Sequence, residues 1–235
     1  MKTRVRHARL SIIDLDDHNR AHRGNRAAAR LRRPRLTESQ LETFRMMRAF
    51  WLTDHGIVRK VLPNIYKVDE NMIRGGHPDR ARLEMLKDAG VKAILNLRGD
   101  VDTVSNNLEK QVCTELGLPL VFVPLRATAA PASAPLLQTI ALLRDLPRPF
   151  FVHCKSGADR TALAVVLYLV VIKGVDIQSA RQEAFKLKYG HIRWSKARIL
   201  HQFLDSYEGA AKRRPITLED WIASEYHPDL LQMPS

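Results

Sequence analysis

Beyond residue 63, short apolar stretches of strand length alternate with longer segments whose apolar residues recur at helical spacing. This pattern predicts five strands, at residues 64–68, 72–74, 91–97, 120–124 and 149–152. It also predicts helices that begin at Pro78, Thr103, Leu136, Thr161, Ile177, Lys196 and Thr217. Because strands alternate with helices, we predict an α/β fold in which a central, mostly parallel sheet is flanked by helices.

The first 62 residues follow a different pattern. Residues 1–36 show no sustained periodicity and are rich in arginine, which predicts a mostly disordered, basic N-terminal extension. A helix is predicted to begin near Ser39, because Ser39 and Glu42 have the spacing of a capping box. The predicted divisions are a basic tail at 1–36, an N-terminal helix and connector at 37–62, a main domain at 63–210 and a C-terminal helical extension at 211–235.

Composition narrows the class of protein. Apolar residues make up 45% of the 235 residues, which supports a core and excludes wholesale disorder. Two cysteines, Cys113 and Cys154, cannot build a disulfide scaffold; they indicate a reducing compartment or a thiol that performs chemistry. The longest apolar run, 162–172, is too short to cross a bilayer, and no N-terminal segment resembles a signal peptide. We expect a soluble, intracellular protein.

The net charge of +13 is unevenly distributed. Residues 1–36 contain 11 Lys and Arg against 3 Asp, a net charge of +8, so the other residues contribute only +5. Basic tails bind anionic surfaces of several kinds, and the charge alone therefore identifies no partner. The segment 186–194 mixes cations with aromatic residues, but this is more typical of a helix end and a turn with a packed Trp194 than of a nucleic-acid site.

The strongest chemical signal lies between the predicted strand 149–152 and the helix that begins at Thr161. The seven residues from Cys154 to Arg160 are expected to wrap their backbone N–H groups around a small cavity, and Gly157 allows the chain to reverse. A thiol at a helix N-terminus, beside Lys155 and Arg160, has a depressed pKa. The guanidinium of Arg160 can bind two phosphate oxygens at once. The pattern predicts a phosphate cradle that opens on a nucleophilic cysteine.

This motif resembles a known family. The pattern His153-Cys154, five residues, Arg160-Thr161 resembles the signature loop of the cysteine-based protein tyrosine and dual-specificity phosphatases. Residues 71–78 are similar to the opening of compact dual-specificity phosphatases, and residues 90–98 resemble their next helix–strand unit. The resemblance covers roughly residues 63–210 and is strongest to bacterial members. A rhodanese-like sulfurtransferase is an alternative, although such loops usually have one residue fewer and lack this His-Cys…Arg-Thr frame.

The resemblance implies a role for each residue of the motif. Cys154 would attack phosphorus and form a phosphocysteine intermediate. Arg160 and the loop amides would bind the phosphoryl group and stabilise its transition state. Thr161 would donate a hydrogen bond to the departing thiolate, and His153 would support the loop. The loop residues expected to bind substrate are Lys155, Ser156, Gly157 and Ala158. No metal or cofactor is needed, and Cys113 is expected to be a core residue, a disulfide with Cys154 being the alternative.

The sequence departs from the family at the general acid. The loop that usually carries an aspartate corresponds to residues 124–130, which contain no carboxylate. Asp159, inside the cysteine loop, is the favoured substitute, and Asp100, which follows a predicted strand, is the other candidate. Asp159 could instead only orient Arg160. A slow enzyme without an acid is also conceivable, since a good leaving group needs little proton donation.

Further cations bear on the substrate. Lys155, directly after the cysteine, resembles the arrangement in lipid and inositol-phosphate phosphatases, and Arg126 and Arg74 are expected to face the cradle; the alternative is that they point to solvent. We predict a phosphomonoester hydrolase of the tyrosine/dual-specificity protein phosphatase type. The alternatives are a phosphoinositide, inositol-phosphate or phospholipid phosphatase and a catalytically weak phosphate-binding scaffold. We expect a cytoplasmic protein, with the tail 1–36 as a contact to an anionic membrane surface.

Overall fold

The structure is a computed structural model and describes residues 64–191 and 197–231. The predicted basic tail, the predicted helix near Ser39 and Trp194 lie outside these residues. Five strands form one sheet: β1 (Tyr66–Lys67), β2 (Met72–Gly75), β3 (Ala93–Asn96), β4 (Leu120–Phe122) and β5 (Phe150–His153). Their order is β1-β2-β5-β3-β4, with β1 antiparallel to β2 and every other pair parallel. The predicted mostly parallel α/β fold is confirmed.

Seven α-helices connect and cover the strands. They are α1 (Arg80–Asp88), α2 (Val104–Leu116), α3 (Ser133–Asp145), α4 (Asp159–Leu167), α5 (Ile177–Ala184), α6 (Arg198–Arg213) and α7 (Leu218–Ser224) within the described residues. Helix α4 continues directly into a π-helical turn, Tyr168–Ile172, and two 3₁₀ turns lie at Leu187–Tyr189 and Pro228–Leu231. No helix among the described residues is both long and apolar enough to cross a membrane.

The helix starts differ from the predictions for identifiable reasons. Helix α1 begins at Arg80 instead of Pro78, because the Asp79 side chain accepts a hydrogen bond from the Arg82 N–H and caps the helix. Helix α3 begins at Ser133, three residues before the predicted start at Leu136. Pro135 lies in the first helical turn, where a residue without an N–H loses no intrahelical hydrogen bond. Helix α4 begins at Asp159, two residues early, so Asp159 itself lies in the first helical turn.

Two apolar cores lie on the sheet. The smaller one packs α1 and α2 against the sheet and contains Cys113, which confirms its predicted place in the core. The larger core surrounds α4, whose residues from Thr161 to Leu167 are all buried, and this explains why that stretch is apolar all around. Helices α6 and α7 contribute to the same larger core, and the predicted boundary at residue 210 falls inside α6.

Candidate active site

The cysteine loop, residues 154–160, leaves the carboxyl end of β5 and enters α4. The register of the parallel strands places Gly75, His153 and Asn96 side by side at the ends of β2, β5 and β3. The loop therefore begins at the edge of the sheet where α/β folds bind their ligands.

Three consecutive carbonyl groups of the cysteine loop are held from outside the loop. The donors to Lys155, Ser156 and Gly157 are, in that order, the His77 backbone N–H (3.2 Å), the Asn64 side-chain amide (2.7 Å) and the Arg74 guanidinium (2.9 Å). A trans peptide unit points its C=O and its N–H in opposite directions, so the amides that follow these carbonyls face the inside of the loop. The Gly157 amide donates to Cys154 and the Ala158 amide lies 3.4 Å from the Ser156 hydroxyl, so the inside of the loop offers hydrogen-bond donors that suit an oxyanion.

Cys154 lies at the base of this lining, with only 2% of its surface exposed. Burial by itself raises the pKa of the Cys154 thiol. The positive charge of Arg160, hydrogen bonds from the Thr161 hydroxyl and backbone, and the Gly157 backbone N–H outweigh burial, and the pKa is lowered overall. Cys154 is therefore a stronger candidate thiolate than an ordinary cysteine. Burial raises the pKa of Cys113 to about 12, so that thiol is inert by comparison.

Arg160 and Thr161 both lie close to the sulfur. The Arg160 guanidinium reaches the Leu125 carbonyl at 3.4 Å, and its buried Nε has no hydrogen-bond partner among the described residues. An unpaired buried donor beside the cysteine loop suits a phosphate oxygen. The Thr161 hydroxyl is fully buried, 3.3 Å from the Gly75 carbonyl, and its hydrogen bond to Cys154 helps to lower the thiol pKa.

Arg74 is used differently from the sequence expectation that it faces a bound phosphate. Its side chain is buried, and its two terminal nitrogens donate to the carbonyls of Ala184 (2.7 Å) and Gly157 (2.9 Å). Its guanidinium also lies 3.8 Å from the centre of the Tyr189 ring. Burial lowers the pKa of Arg74 to about 10. Arg74 therefore supports the cysteine loop from behind through its two terminal nitrogens, while its buried Nε has no hydrogen-bond partner among the described residues.

The two candidate acids lie in different surroundings. Asp159 projects from the first turn of α4, with 26% of its side chain exposed, and its Oδ1 lies 2.7 Å from Nδ1 of His191. Asp100 lies in the loop after β3, is 60% exposed and forms an ion pair with Lys110. Among the other predicted binding residues, Arg126 and Ser156 are exposed, Lys155 is half-buried and Ala158 is buried.

Sequence reasoning missed a buried carboxylate beneath the loop. Glu109 accepts hydrogen bonds from His153 Nε2 and from the Asn96 side-chain amide, each at 2.7 Å, and it is almost fully buried. Burial raises the pKa of Glu109, but His153, His77 and Asn96 outweigh burial and lower it overall. The burial of Glu109 could have been detected from the helical periodicity, because Glu109 lies on the same face of α2 as the buried Val112.

Three of these side chains could in principle hold a metal ion. One ligand atom from each of His77, Glu109 and His153 lies within 4.8 Å of the others. The Arg98 guanidinium, however, lies 3.3 Å from Nδ1 of His77, and a neighbouring cation repels a metal ion. Glu109 also already accepts two short hydrogen bonds. The arrangement is better explained as a buried hydrogen-bond network that fixes the His153 ring.

We expect Glu109→Gln to destabilise the fold by about 3–5 kcal/mol near neutral pH, because it breaks a buried charged network from one side. The folded pKa of Glu109 is lowered, so its stabilisation is present above the unfolded pKa of about 4.3 and is lost as pH falls through the folded value. Urea unfolding at pH 7 and at pH 4 measures this. The deficit of the variant should shrink at the lower pH.

The matched control is Glu84→Gln, which removes an exposed carboxylate paired with Arg80 on α1. It should leave the free energy of unfolding nearly unchanged at both pH values. An equal deficit for Glu109→Gln at the two pH values would show that the carboxylate charge is not what stabilises the site.

Comparisons with known proteins identify the family of this chain. Residues 63–200 match the family described as DSP-PTPase phosphatase fused to NAD+ kinase. The dual specificity protein phosphatase TpbA of Pseudomonas aeruginosa is 24% identical over 135 residues, which are 54% of this chain and 56% of that protein. The phosphatidylglycerophosphate phosphatase PTPMT1 of Arabidopsis thaliana is 25% identical over 154 residues, 62% of this chain and 42% of that protein. The chain spans about half the length of these curated relatives.

Two crystal structures share the fold. The structure of P. aeruginosa TpbA matches with a TM-score of 0.51 and 21% identity, covering 64% of this chain and 91% of that one. A mutant form of Tk-PTP matches with a TM-score of 0.50 and 16% identity, covering 64% and 97%. Because the matched residues, 63–200, make up more than half of the chain, the chain belongs to the DSP-PTPase phosphatase family described as fused to NAD+ kinase.

Proposed function

We propose that the chain hydrolyses phosphomonoesters through a phosphocysteine intermediate on Cys154, as a phosphatase of the tyrosine/dual-specificity type. The observation that carries the proposal is the geometry of the cysteine loop, in which Cys154 is buried at the start of the loop and the carbonyls of residues 155–157 are bound from outside. The charge of Arg160 and the hydrogen bonds from Thr161 and Gly157 lower the pKa of the Cys154 thiol there. The thiolate attacks phosphorus, a P–S bond forms, and the P–O bond to the leaving group breaks. Water then attacks the phosphocysteine, the P–S bond breaks, and inorganic phosphate is released.

Each neighbouring group has a task in these two steps. Arg160 and the inward-facing amides bind the non-bridging oxygens and stabilise the negative charge of the transition state. Thr161 donates to the sulfur when the thiolate leaves phosphorus. His153 is held by Glu109 at 2.7 Å and lies against the carbonyl of Cys154 at 3.2 Å, which fixes the backbone from which the nucleophile projects.

We propose Asp159 as the general acid, since it lies one residue from Arg160 and keeps part of its side chain exposed. Asp159→Asn should lower kcat by about 10²- to 10⁴-fold on an alkyl phosphate, whose leaving oxygen must be protonated. On p-nitrophenyl phosphate, a good leaving group, the loss should be much smaller. Asp100→Asn is measured in parallel. A loss of kcat in Asp100→Asn but not in Asp159→Asn would show that Asp100 is the general acid.

A second candidate substrate class is a phospholipid or inositol phosphate. Lys155 follows the nucleophile directly and Arg126 is exposed on the loop after β4, and positive charge at these positions favours a substrate with more than one phosphate. PTPMT1, one of the two relatives, is named a phosphatidylglycerophosphate phosphatase, whereas TpbA is named a dual specificity protein phosphatase.

The experiment that tests the function is phosphate release from a panel of substrates. The panel contains a phosphotyrosyl peptide, phosphatidylglycerophosphate, a phosphatidylinositol monophosphate and inositol hexakisphosphate, with thiosulfate as a sulfurtransferase substrate. The proposal requires phosphate release above that of the Cys154→Ser variant from at least one ester. Tight phosphate binding with no release from any ester would instead support the scaffold alternative, and thiosulfate turnover would support a sulfurtransferase.

We also propose that residues 1–36, with their net charge of +8, hold the phosphatase domain at an anionic membrane surface inside the cell. The support for this proposal is the charge of the tail. The proposed site residues all lie between 74 and 161, so the phosphatase chemistry does not account for that charge. Deleting residues 1–36 should weaken sedimentation with anionic liposomes at low salt. Unchanged sedimentation would overturn this role, whatever the activity of the domain.

A further inference from the structure

Asp159, the proposed general acid, is the first member of a chain of three side chains whose other two members, His191 and His201, have no part in the proposed mechanism so far. Its Oδ1 lies 2.7 Å from Nδ1 of His191, and Nε2 of His191 lies 2.8 Å from Nε2 of His201. His191 is 4% exposed, although imidazole is polar and could face water. The Phe185 ring packs against both imidazoles, with centroids 4.7 Å from His191 and 4.6 Å from His201.

The three polar groups come from separate parts of the fold. Asp159 begins α4, His191 follows the 3₁₀ turn Leu187–Tyr189, and His201 lies in the first turn of α6. Packing alone would not align the polar atoms of three elements end to end at hydrogen-bond distance. A buried histidine needs partners for both ring nitrogens, and this one has a carboxylate on one side and a second imidazole on the other.

The arrangement fixes the tautomer of His191. In a neutral imidazole one ring nitrogen donates and the other accepts. A carboxylate oxygen accepts, so Nδ1 of His191 carries the hydrogen and Nε2 accepts from Nε2–H of His201. The partner on one nitrogen of a histidine thus decides what the other nitrogen can do. His201 thereby ensures that His191 presents a donor to Asp159.

We infer that His191 is a positioning residue for Asp159 in the proposed reaction and that His201 sets the tautomer of His191; this rests on the proposed function. The Nδ1–H of His191 holds Oδ1 of Asp159 and leaves Oδ2 to serve the leaving group. When the P–O bond breaks, the Oδ2 proton passes to the leaving oxygen, and the new carboxylate keeps the hydrogen bond from His191. In the second step Oδ2 takes a proton from the attacking water, which restores the acid.

A double-mutant cycle between His191 and Asp159 separates positioning from a general structural role. His191→Ala should lower kcat on an alkyl phosphate by about tenfold, which is part of the 10²- to 10⁴-fold contribution of general acid catalysis, with little change in KM. It should have a far smaller effect on p-nitrophenyl phosphate. In the Asp159→Asn background the same substitution should have almost no effect on either ester.

Conservative variants should recover part of the activity that the alanine variants lose. His191→Asn places an amide N–H near the position of Nδ1 and should recover most of the alkyl phosphate rate that His191→Ala loses. His201→Gln, which keeps a donor near the position of Nε2, should exceed His201→Ala in the same assay. The matched control is His227→Asn, which changes an exposed histidine and should leave both rates unchanged. A loss of equal size for His191→Ala in both backgrounds, or on both esters, would overturn the inference.

A measurement that needs no turnover completes the test. Nitrogen-15 NMR of histidine side chains in the full chain reports which ring nitrogen of His191 carries the hydrogen. The inference requires hydrogen on Nδ1 in the wild type and a change in that signal in Asp159→Asn. Hydrogen on Nε2 alone would overturn the inference even in an active enzyme. Absence of phosphate release from the wild type, with Nδ1 protonated, would overturn the proposed function and with it the catalytic role of the three side chains.

Discussion

Replacing Cys154 by serine should abolish phosphate release while leaving the binding of oxyanions intact. The serine hydroxyl stays protonated near neutral pH, whereas the environment of Cys154 lowers the pKa of its thiol and favours the thiolate. We expect a loss in kcat on the order of 10³- to 10⁶-fold, as is typical when a covalent nucleophile is removed. The inward-facing amides and Arg160 do not depend on the sulfur, so phosphate or tungstate should still raise the melting temperature of the variant.

The matched control for this substitution is Cys113→Ser. Cys113 is buried in the smaller core, and burial raises its pKa to about 12, so it has no part in the proposed chemistry. The control should retain its activity per folded molecule even where it loses stability. Phosphate release by Cys154→Ser at a substantial fraction of the wild-type rate would show that Cys154 is not the nucleophile.

Replacing Gly157 by alanine should cost both activity and stability. Gly157 has φ +79°, and a Cβ there would lie 2.6 Å from the Gly75 carbonyl carbon and 2.7 Å from the Gly76 nitrogen. Backbone atoms of a strand end cannot rotate away, so the cysteine loop must move. We expect a destabilisation of about 1–3 kcal/mol from strain and a similar amount from overpacking. The displaced amides should also reduce phosphate binding and kcat.

Gly174→Ala separates strain from the steric clash. Gly174 has φ +68°, and a Cβ at that position meets nothing within 4 Å. This control should show the strain alone and leave activity unchanged. Urea unfolding and turnover measured on both variants test the comparison. Equal loss of stability in the two variants, with activity retained by Gly157→Ala, would show that the close approach of β2 does not shape the loop.

The fold class and the position of the cysteine loop could be predicted from the sequence because both depend on local pattern. The β5–loop–α4 unit is contiguous, so strand, turn and helix signals surround Cys154 and Arg160 in a single stretch. Helix boundaries were wrong by two or three residues where a cap or a proline decided the first turn, as at Asp79 and in α3.

The supporting residues could not be predicted from the local pattern, because long-range contacts define their roles. Glu109 precedes His153 by 44 positions, and Arg74 reaches Gly157 across 83. In the sequence Arg74 is simply a charge at a strand end, and only its buried hydrogen bonds show that it holds the loop. His191 likewise meets Asp159 only through tertiary packing.

The cysteine loop is held by Asn64, Arg74 and His77 before any ligand arrives, and this has a consequence for the end of the proposed reaction. A loop that need not become ordered on binding loses little entropy when it captures an oxyanion. Inorganic phosphate keeps the non-bridging oxygens of the phosphoryl group in the substrate and can bind the same hydrogen-bond donors. We therefore expect product inhibition in the proposed reaction, with the concentration of free phosphate around the protein limiting its rate.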